Sequence, residues 1–177
     1  MALLRKNFMN KTQQPVPLPL LSGIRPVITP DIHTLILCHY PDKYACEKKA
    51  YYADTQDQFW ALMSAVLGIA FQEKPYTEKL EKLLQQGIGL WDVITACQST
   101  GALHAVLKEN RPDRFAFLKK HGPHLRQICL NGKTAGKYAP LFEKAGYATF
   151  HLPSSSLVYS RTPFEEKLKI WQQILQK

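Results

Sequence analysis

Paired cysteines and long apolar runs are both missing from this sequence of 177 residues. Its four cysteines lie far apart and form no CxxC pair, which argues against a zinc site and against a disulfide framework. No apolar run approaches the roughly 20 residues that span a membrane. We therefore expect a cytoplasmic protein without a cysteine-bound zinc that does not associate with membranes.

Short motifs for common nucleotide and hydrolase chemistry are missing too. The sequence has no GxGxxG, no P-loop (GxxxxGK followed by Ser or Thr) and no GxSxG, so dinucleotide, P-loop and serine-hydrolase functions have no motif support. Acidic residues are few, because 14 of them accompany 23 lysines and arginines, which gives a net charge of +9. This excess of positive charge favours an anionic partner such as nucleic acid.

The apolar pattern predicts strands that alternate with helices. Short apolar runs between turn residues predict four strands, over 34–38, 88–94, 125–130 and 147–152. Helical spacing predicts helices over 58–71, 76–86, 103–108, 114–120, 133–145 and 163–177. Such alternation indicates a three-layer α/β/α sandwich around a central, mostly parallel four-stranded sheet.

Composition divides the chain into a lead-in and one domain. Residues 1–22 are basic at first and then proline-rich, which predicts an arm without regular structure. Residues 23–177 carry all of the predicted strands and helices, so we expect a single α/β domain there. The sequence shows no repeat and no coiled-coil seam, and we expect a monomer.

Aromatic and acidic side chains are concentrated between the first predicted strand and the first long helix. Asp57 precedes that helix, where it can act as a general base or simply cap the helix N-terminus. Tyr51 and Tyr52 can stack on an extruded base, or one of them can belong to the core. His39 follows the first strand directly, so it is a candidate catalytic residue as well as an ordinary loop histidine.

Polar residues also follow the other predicted strands, and ligand-binding loops in parallel sheets lie beyond the carboxyl ends of the strands. Asp92 can accept a hydrogen bond from a base or cap the next segment. Asn131-Gly132-Lys133 can form a plain turn or bring its lysine to a phosphate. Ser154, Ser155 and Ser156 can bind a phosphate through hydroxyl and backbone N–H groups, or form a flexible linker.

Five blocks of the sequence, in order and spacing, resemble the uracil-DNA glycosylase superfamily. They read SGIRPVITPDIHTLILCHYP, YYADTQDQFW, GIGLWDVITACQSTGAL, LNGKTAGKYAPLF and LPSSS followed by FEEKLKIWQQIL. The branch that they resemble most is the hypoxanthine-DNA (deoxyinosine) glycosylases, with the mismatch-specific thymine/uracil enzymes more distant. The resemblance extends from about Gly23 to the C-terminus.

The resemblance implies a DNA repair enzyme that flips a deaminated base (uracil, hypoxanthine or xanthine) out of duplex DNA and hydrolyses its N-glycosidic bond without metal or cofactor. Tyr52 matches the family's base-stacking aromatic residue, and Asp92 matches the strand-end position that reads the base edge. The run Ser154 to Ser156 matches the loop that holds the DNA backbone, with Lys133 as a further candidate for phosphate contact. Tyr40 and Asn131 are candidates for substrate contact.

The chain departs from the family's pattern at three places. Cys38-His39-Tyr40-Pro41-Asp42 stands where the branch has Gly-Ser-x-Pro-Ser, so a side chain occupies the position of a glycine. Asp57 stands where the family has an asparagine that holds the attacking water. An aspartate there can act as a base and as a counter-charge to an oxocarbenium-like sugar. The serine loop continues with Leu157-Val158-Tyr159 instead of Pro-Ala-Asn.

Three hypotheses follow. The first is a monofunctional DNA glycosylase in which Asp57 positions or activates water, Tyr52 stacks on the base and Asp92 reads its edge. The second, which the altered first motif allows, is a non-catalytic nucleic-acid-binding relative of the same fold. The third is an enzyme of this fold that hydrolyses a free nucleoside or another small substrate without affinity for polynucleotides. An abasic site in treated DNA separates the first hypothesis from the other two.

Overall fold

A computed structural model describes residues 21–22, 24–39, 43–93, 96–97, 112–158 and 160–175. The candidate residue Tyr40 and the predicted helix over 103–108 lie outside the described residues, as does the predicted arm up to residue 20. The domain boundary at residue 23 therefore stays a prediction. No helix in the described part of the chain is long and apolar enough to cross a membrane.

The four predicted strands form one parallel sheet. The described strands are β1 (Leu21–Ser22), β2 (Thr34–Cys38), β3 (Ile88–Asp92), β4 (Ala96–Cys97), β5 (Gln127–Asn131) and β6 (Ala148–Leu152). The sheet has the order β3-β2-β5-β6, and every pairing in it is parallel. Two-residue strands β1 and β4 pair separately as an antiparallel ribbon that the apolar pattern did not predict.

Helices fill the connections between these strands. They are α1 (Lys43–Lys48), α2 (Phe59–Leu67), α3 (Tyr76–Gln85), α4 (Pro112–His121), α5 (Lys133–Gly136), α6 (Ala139–Lys144) and α7 (Phe164–Trp171). Short 3₁₀ turns follow at Phe71–Glu73 and Gln172–Leu175.

Several predictions of local structure were wrong, including the following three. The polar stretch after β2 contains the short helix α1, whose six residues are too few for an amphipathic pattern to be visible. The single helix predicted over 133–145 is two helices, because Pro140 lacks the N–H that a continuous helix needs and its ring would clash with the preceding turn. Helix α2 ends at Leu67, where Gly68 takes a left-handed conformation with φ of 67°.

Apolar residues on the two faces of the sheet enter two separate cores. In β2, Ile36 packs with α2, α3 and the C-terminal helix, whereas Leu35 and Leu37 pack with α4, α5 and α6. Strand β5 alternates in the same way, with Cys129 on the first face and Leu130 on the second. The predicted three-layer α/β/α sandwich is confirmed.

Candidate active site

The carboxyl ends of the parallel strands bring the candidate residues to one edge of the sheet. Cys38, the last residue of β2, pairs in register with Asp92, the last residue of β3. Asn131, the last residue of β5, pairs with Leu152, the last residue of β6. The loops that follow these residues carry the remaining candidates. This edge is therefore the candidate active site.

Asp92 is a buried carboxyl group with one partnered oxygen. Its Oδ1 accepts a hydrogen bond from the Cys38 thiol, and the side chain is 0% exposed. Its Oδ2 is buried and has no hydrogen-bond partner among the described residues. A buried carboxyl oxygen without a partner is costly, which is typical of an atom that meets a ligand.

Burial sets the protonation of Asp92. The pKa of this carboxyl is raised to about 7. Desolvation is the largest cause of the rise, and the Cys38 thiol, the Tyr51 hydroxyl and the Arg114 guanidinium each oppose it. Burial likewise raises the pKa of the Cys38 thiol, and the Asp92 charge raises it further. Cys38 is therefore a neutral hydrogen-bond donor at physiological pH and not a reactive thiolate.

The two predicted tyrosines take different roles. Tyr51 is buried, and its hydroxyl donates a hydrogen bond to Ile24 O at 3.1 Å. Tyr52 is only half-buried, and its ring stacks on Phe59 with centroids 3.7 Å apart and planes within 5°. Its backbone has a φ of 54°, a left-handed conformation that is rare for an aromatic residue and is typical of a constrained functional position. Tyr51 therefore belongs to the core, and Tyr52 is the candidate for base stacking.

Asn131 joins Tyr52 to the serine loop. Its Nδ2 donates to Tyr52 Oη at 3.2 Å and to Ser155 Oγ at 2.9 Å, and its Oδ1 accepts from Ser155 N at 3.0 Å. The following Gly132 has a φ of 94°, and a Cβ there would approach Ser154 Cβ to 3.3 Å, so glycine lets the two loops pass closely. Asn131 thus organises the site instead of forming a plain turn.

Asp57 lies against the same serine loop. Asp57 and Ser156 form an isolated antiparallel bridge, and Gln58 N donates to Ser155 O at 3.0 Å. Asp57 Oδ1 accepts from Phe59 N at 2.8 Å, so the carboxylate does cap the start of α2. Burial raises the pKa of Asp57, and the Ser155 hydroxyl is the largest of the groups that oppose this rise. Capping and a place in the site are therefore compatible.

The remaining predicted residues lie at the margins of this cluster. His39 is half-buried, with its ring centroid 6.5 Å from that of Tyr138; burial, and to a lesser extent the charge of Lys137, lower its pKa, so the imidazole is neutral at physiological pH. Lys133 is exposed at the first position of α5, directly after Gly132. Within the part of the chain that the structure describes, no hydrogen bond or ring contact joins His39 or Lys133 to Asp57.

Sequence reasoning missed two further features of the site. Lys167 in α7 is fully buried, and its Nζ donates to Gln58 Oε1 at 2.9 Å. Its position on the apolar face of α7, between Phe164 and Trp171, was the available signal. Leu157 and Val158, directly after the serine run, are 51% and 73% exposed. An apolar pair beside candidate phosphate-binding serines was visible in the sequence.

No cluster of three or more metal-ligating side chains occurs among the residues that the structure describes. The chemistry available here is that of a fully buried carboxyl group, a half-buried one, an aromatic platform and a hydrogen-bonded serine loop. Such a set can stack a planar base, bind its polar edge and position a water molecule.

The fold is that of the uracil-DNA glycosylase superfamily. The chain has a TM-score of 0.73 and 32% identity to a solution NMR structure from Methanosarcina acetivorans, described as a candidate uracil DNA glycosylase. The match covers 89% of this chain and 99% of that one. No family model matches the chain.

Two curated relatives narrow the assignment. A hypoxanthine DNA glycosylase from Methanosarcina acetivorans is 37% identical over 134 residues, which cover 76% of this chain and 85% of the relative. A second, from Methanosarcina barkeri, is 35% identical with the same coverage. The chain belongs to the hypoxanthine DNA glycosylase family of that superfamily, which confirms the resemblance seen in the sequence.

Proposed function

We propose that this protein is a monofunctional DNA glycosylase that excises hypoxanthine, and related deaminated bases, from DNA. One observation carries the proposal. The Asn131 side chain joins Tyr52 to Ser155, and Ser155 in turn contacts the loop of Asp57. The ring of Tyr52, the candidate general base Asp57 and the candidate phosphate-binding serine loop thus form one hydrogen-bonded unit.

Base recognition falls to Tyr52 and Asp92 in this proposal. Phe59 covers one face of the Tyr52 ring, and a flipped base stacks on the other, which typically contributes about 1–3 kcal/mol. The free Oδ2 of ionised Asp92 accepts the N1–H of hypoxanthine. Adenine presents a lone pair at N1, so the same carboxylate repels the undamaged base.

Asp57 serves as the general base. The water oxygen bonds to C1′ of the deoxyribose, the C1′–N bond breaks, and its electron pair leaves with the base. Asp57 accepts the proton of the water, and its negative charge stabilises the positive charge that develops on the sugar. No covalent intermediate with the protein is required, and the product is an abasic site.

The DNA backbone lies along the serine loop. Ser154 and Ser156 supply hydroxyl donors for phosphates, with Lys133 as a nearby cation. Ser155 is buried and its N–H donates to Asn131, so we assign it to holding the loop and not to phosphate contact. The exposed apolar pair Leu157 and Val158 fills the gap that the flipped nucleotide leaves in the base stack. We also propose that the protein acts as a monomer, and a repair enzyme of this type acts in the compartment that holds the chromosome.

A panel of oligonucleotide duplexes tests the function. Each duplex carries one hypoxanthine, xanthine or uracil, and an undamaged duplex serves as the control. We expect abasic sites, seen as alkali-labile breaks, with hypoxanthine processed fastest and adenine untouched. Salt-sensitive binding without abasic product from any base would instead indicate the non-catalytic nucleic-acid-binding relative.

A further inference from the structure

A buried lysine contacts the segment that carries Asp57. Lys167 is 0% exposed, and its Nζ donates to Gln58 Oε1, an uncharged acceptor, at 2.9 Å. Among the residues that the structure describes, no carboxylate comes within ion-pair distance of this ammonium. An ammonium withdrawn from water is costly unless nearby charges or polar groups compensate for it. An apolar side chain could be buried here at a lower free-energy cost. The buried charge therefore indicates that the lysine has a functional role.

Helix α7 connects Lys167 to both loops of the site. Trp171, one turn further along α7, donates from Nε1 to Pro153 O at 3.0 Å and so holds the start of the serine loop. Gln58, whose Oε1 accepts the hydrogen bond from Lys167, donates a hydrogen bond from its backbone N–H to Ser155 O at 3.0 Å. The lysine therefore acts on the short segment in which Asp57 and Gln58 meet the serine loop.

The charges of Lys167 and Asp57 stabilise each other. Burial lowers the pKa of Lys167, and the Asp57 carboxylate opposes that change. Burial raises the pKa of Asp57, and Lys167 opposes that rise together with the Ser155 hydroxyl and the Phe59 N–H. The other titratable groups coupled to Asp57 are the carboxylate of Asp54, the thiol of Cys38 and the phenol of Tyr52.

We propose that Lys167 is a positioning residue for base release, which holds the Asp57 segment through its hydrogen bond to Gln58 and supports the Asp57 carboxylate with its positive charge. The inference rests on the proposed catalytic role of Asp57. Lys167 itself touches neither the base nor the attacking water. Lys167 increases the fraction of enzyme molecules in which the Asp57 carboxyl is ionised and can accept a proton.

Four variants separate the charge of Lys167 from its hydrogen bond. Lys167→Met removes both and leaves an apolar side chain, an exchange that buried charges commonly tolerate in stability. Lys167→Gln keeps a donor for Gln58 without the charge, and Lys167→Arg keeps the charge. Lys169→Met removes an exposed lysine from the same helix and is the matched control. Thermal melts followed by circular dichroism report folding for each variant.

Two measurements follow each variant across pH. The first is the single-turnover rate of hypoxanthine release, and the second is the ¹³C NMR titration of the Asp57 carboxyl without DNA. We expect Lys167→Met and Lys167→Gln to move the acid limb of the rate profile and the Asp57 midpoint upward. Lys167→Arg restores most of both values, and Lys169→Met changes neither.

Unchanged midpoints in the folded charge-removing variants would overturn the inference, even if their rates fell, because a merely structural loss of activity does not move a midpoint. If Lys167→Met does not fold, Lys167→Gln decides the question by the same two values. A wild-type protein that releases no base would refute the proposed function. The NMR titration would still decide whether Lys167 controls the ionisation of Asp57.

Discussion

The site has two carboxyl groups, one half-buried and one fully buried, whose surroundings differ. Asp57 lies in a loop and accepts a hydrogen bond from a backbone N–H. It also contacts the Ser155 hydroxyl, and the positive charge of Lys167 stabilises its carboxylate. Asp92 ends a central strand, is completely buried, and has one oxygen on the Cys38 thiol and one without a partner. The pKa of both carboxyl groups is raised. The groups around Asp57 stabilise its ionised form more than the surroundings of Asp92 stabilise that of Asp92.

Paired acids in different surroundings commonly divide acid–base roles between them. The hydrogen-bonded and cation-supported Asp57 suits proton abstraction and stabilisation of a positive sugar. The uncovered oxygen of Asp92 suits recognition of a donor on the base. Substitutions at the two carboxyl groups should therefore have different effects on the protein. The experiments below measure these effects and those of neighbouring residues, from the largest expected effect to the smallest.

Replacing Asp92 should change how stability depends on pH. The pKa of Asp92 is raised to about 7 in the folded protein, so ionising it above its unfolded pKa of about 3.9 opposes folding. Relative to wild type, Asp92→Asn should therefore gain free energy of unfolding as the pH rises from 4 to 8. The gain should reach about 4 kcal/mol, at about 1.4 kcal/mol per pH unit, and level off above pH 7.

Urea unfolding at several pH values measures this gain, and any constant cost of the buried amide cancels in the trend. Asp31→Asn, at an exposed aspartate, is the control. A difference for Asp92→Asn that does not change with pH would mean that Asp92 titrates normally, and its distinction from Asp57 would be lost.

Removing the Tyr52 ring should weaken binding of damaged DNA. Tyr52→Ala loses the stacking platform, and we expect Kd for a hypoxanthine duplex to rise by about 10-fold or more, since stacking contributes about 1–3 kcal/mol per base. Tyr52→Phe keeps the ring and loses only the 3.2 Å contact from Asn131, so it should bind nearly as well as wild type. Equal weakening in both variants would assign the effect to the hydroxyl contact.

Changing Cys38 should produce the smallest effect. The thiol donates to Asp92 and lowers the pKa of that carboxyl, so Cys38→Ala should move the Asp92 midpoint upward from about 7. Cys38→Ser retains a donor and should stay close to wild type. The ¹³C titration of Asp92 measures both shifts. A downward shift in Cys38→Ala would contradict the donor role of the thiol.

Much of the fold could be predicted because its signals are local. Apolar runs between turn residues marked the four sheet strands, and alternating burial along β2 and β5 explains why these runs form a two-faced sheet. Strand ends then located Asp92 and Asn131 correctly at one edge. Helix α1 and the break at Pro140 were missed because short helices carry little periodic signal.

The contacts within the site could not be predicted in the same way. The Lys167–Gln58 bond joins residues 109 positions apart, and the Cys38–Asp92 bond joins residues 54 apart. Such pairings depend on strand order and helix packing, which a single sequence does not specify. The left-handed backbone of Tyr52 is equally invisible, because its residue type does not require it.

The most direct test of the account is the single-turnover rate of hypoxanthine release by Asp57→Ala at saturating enzyme, measured beside Kd for the same duplex. Asp31→Ala removes an exposed carboxylate that none of the site contacts involves and is the control. The account predicts that Asp57→Ala loses about 10²–10⁴-fold in rate with little change in Kd, and that the control stays near wild type. A wild-type rate in Asp57→Ala would contradict the central claim that Asp57 drives base release.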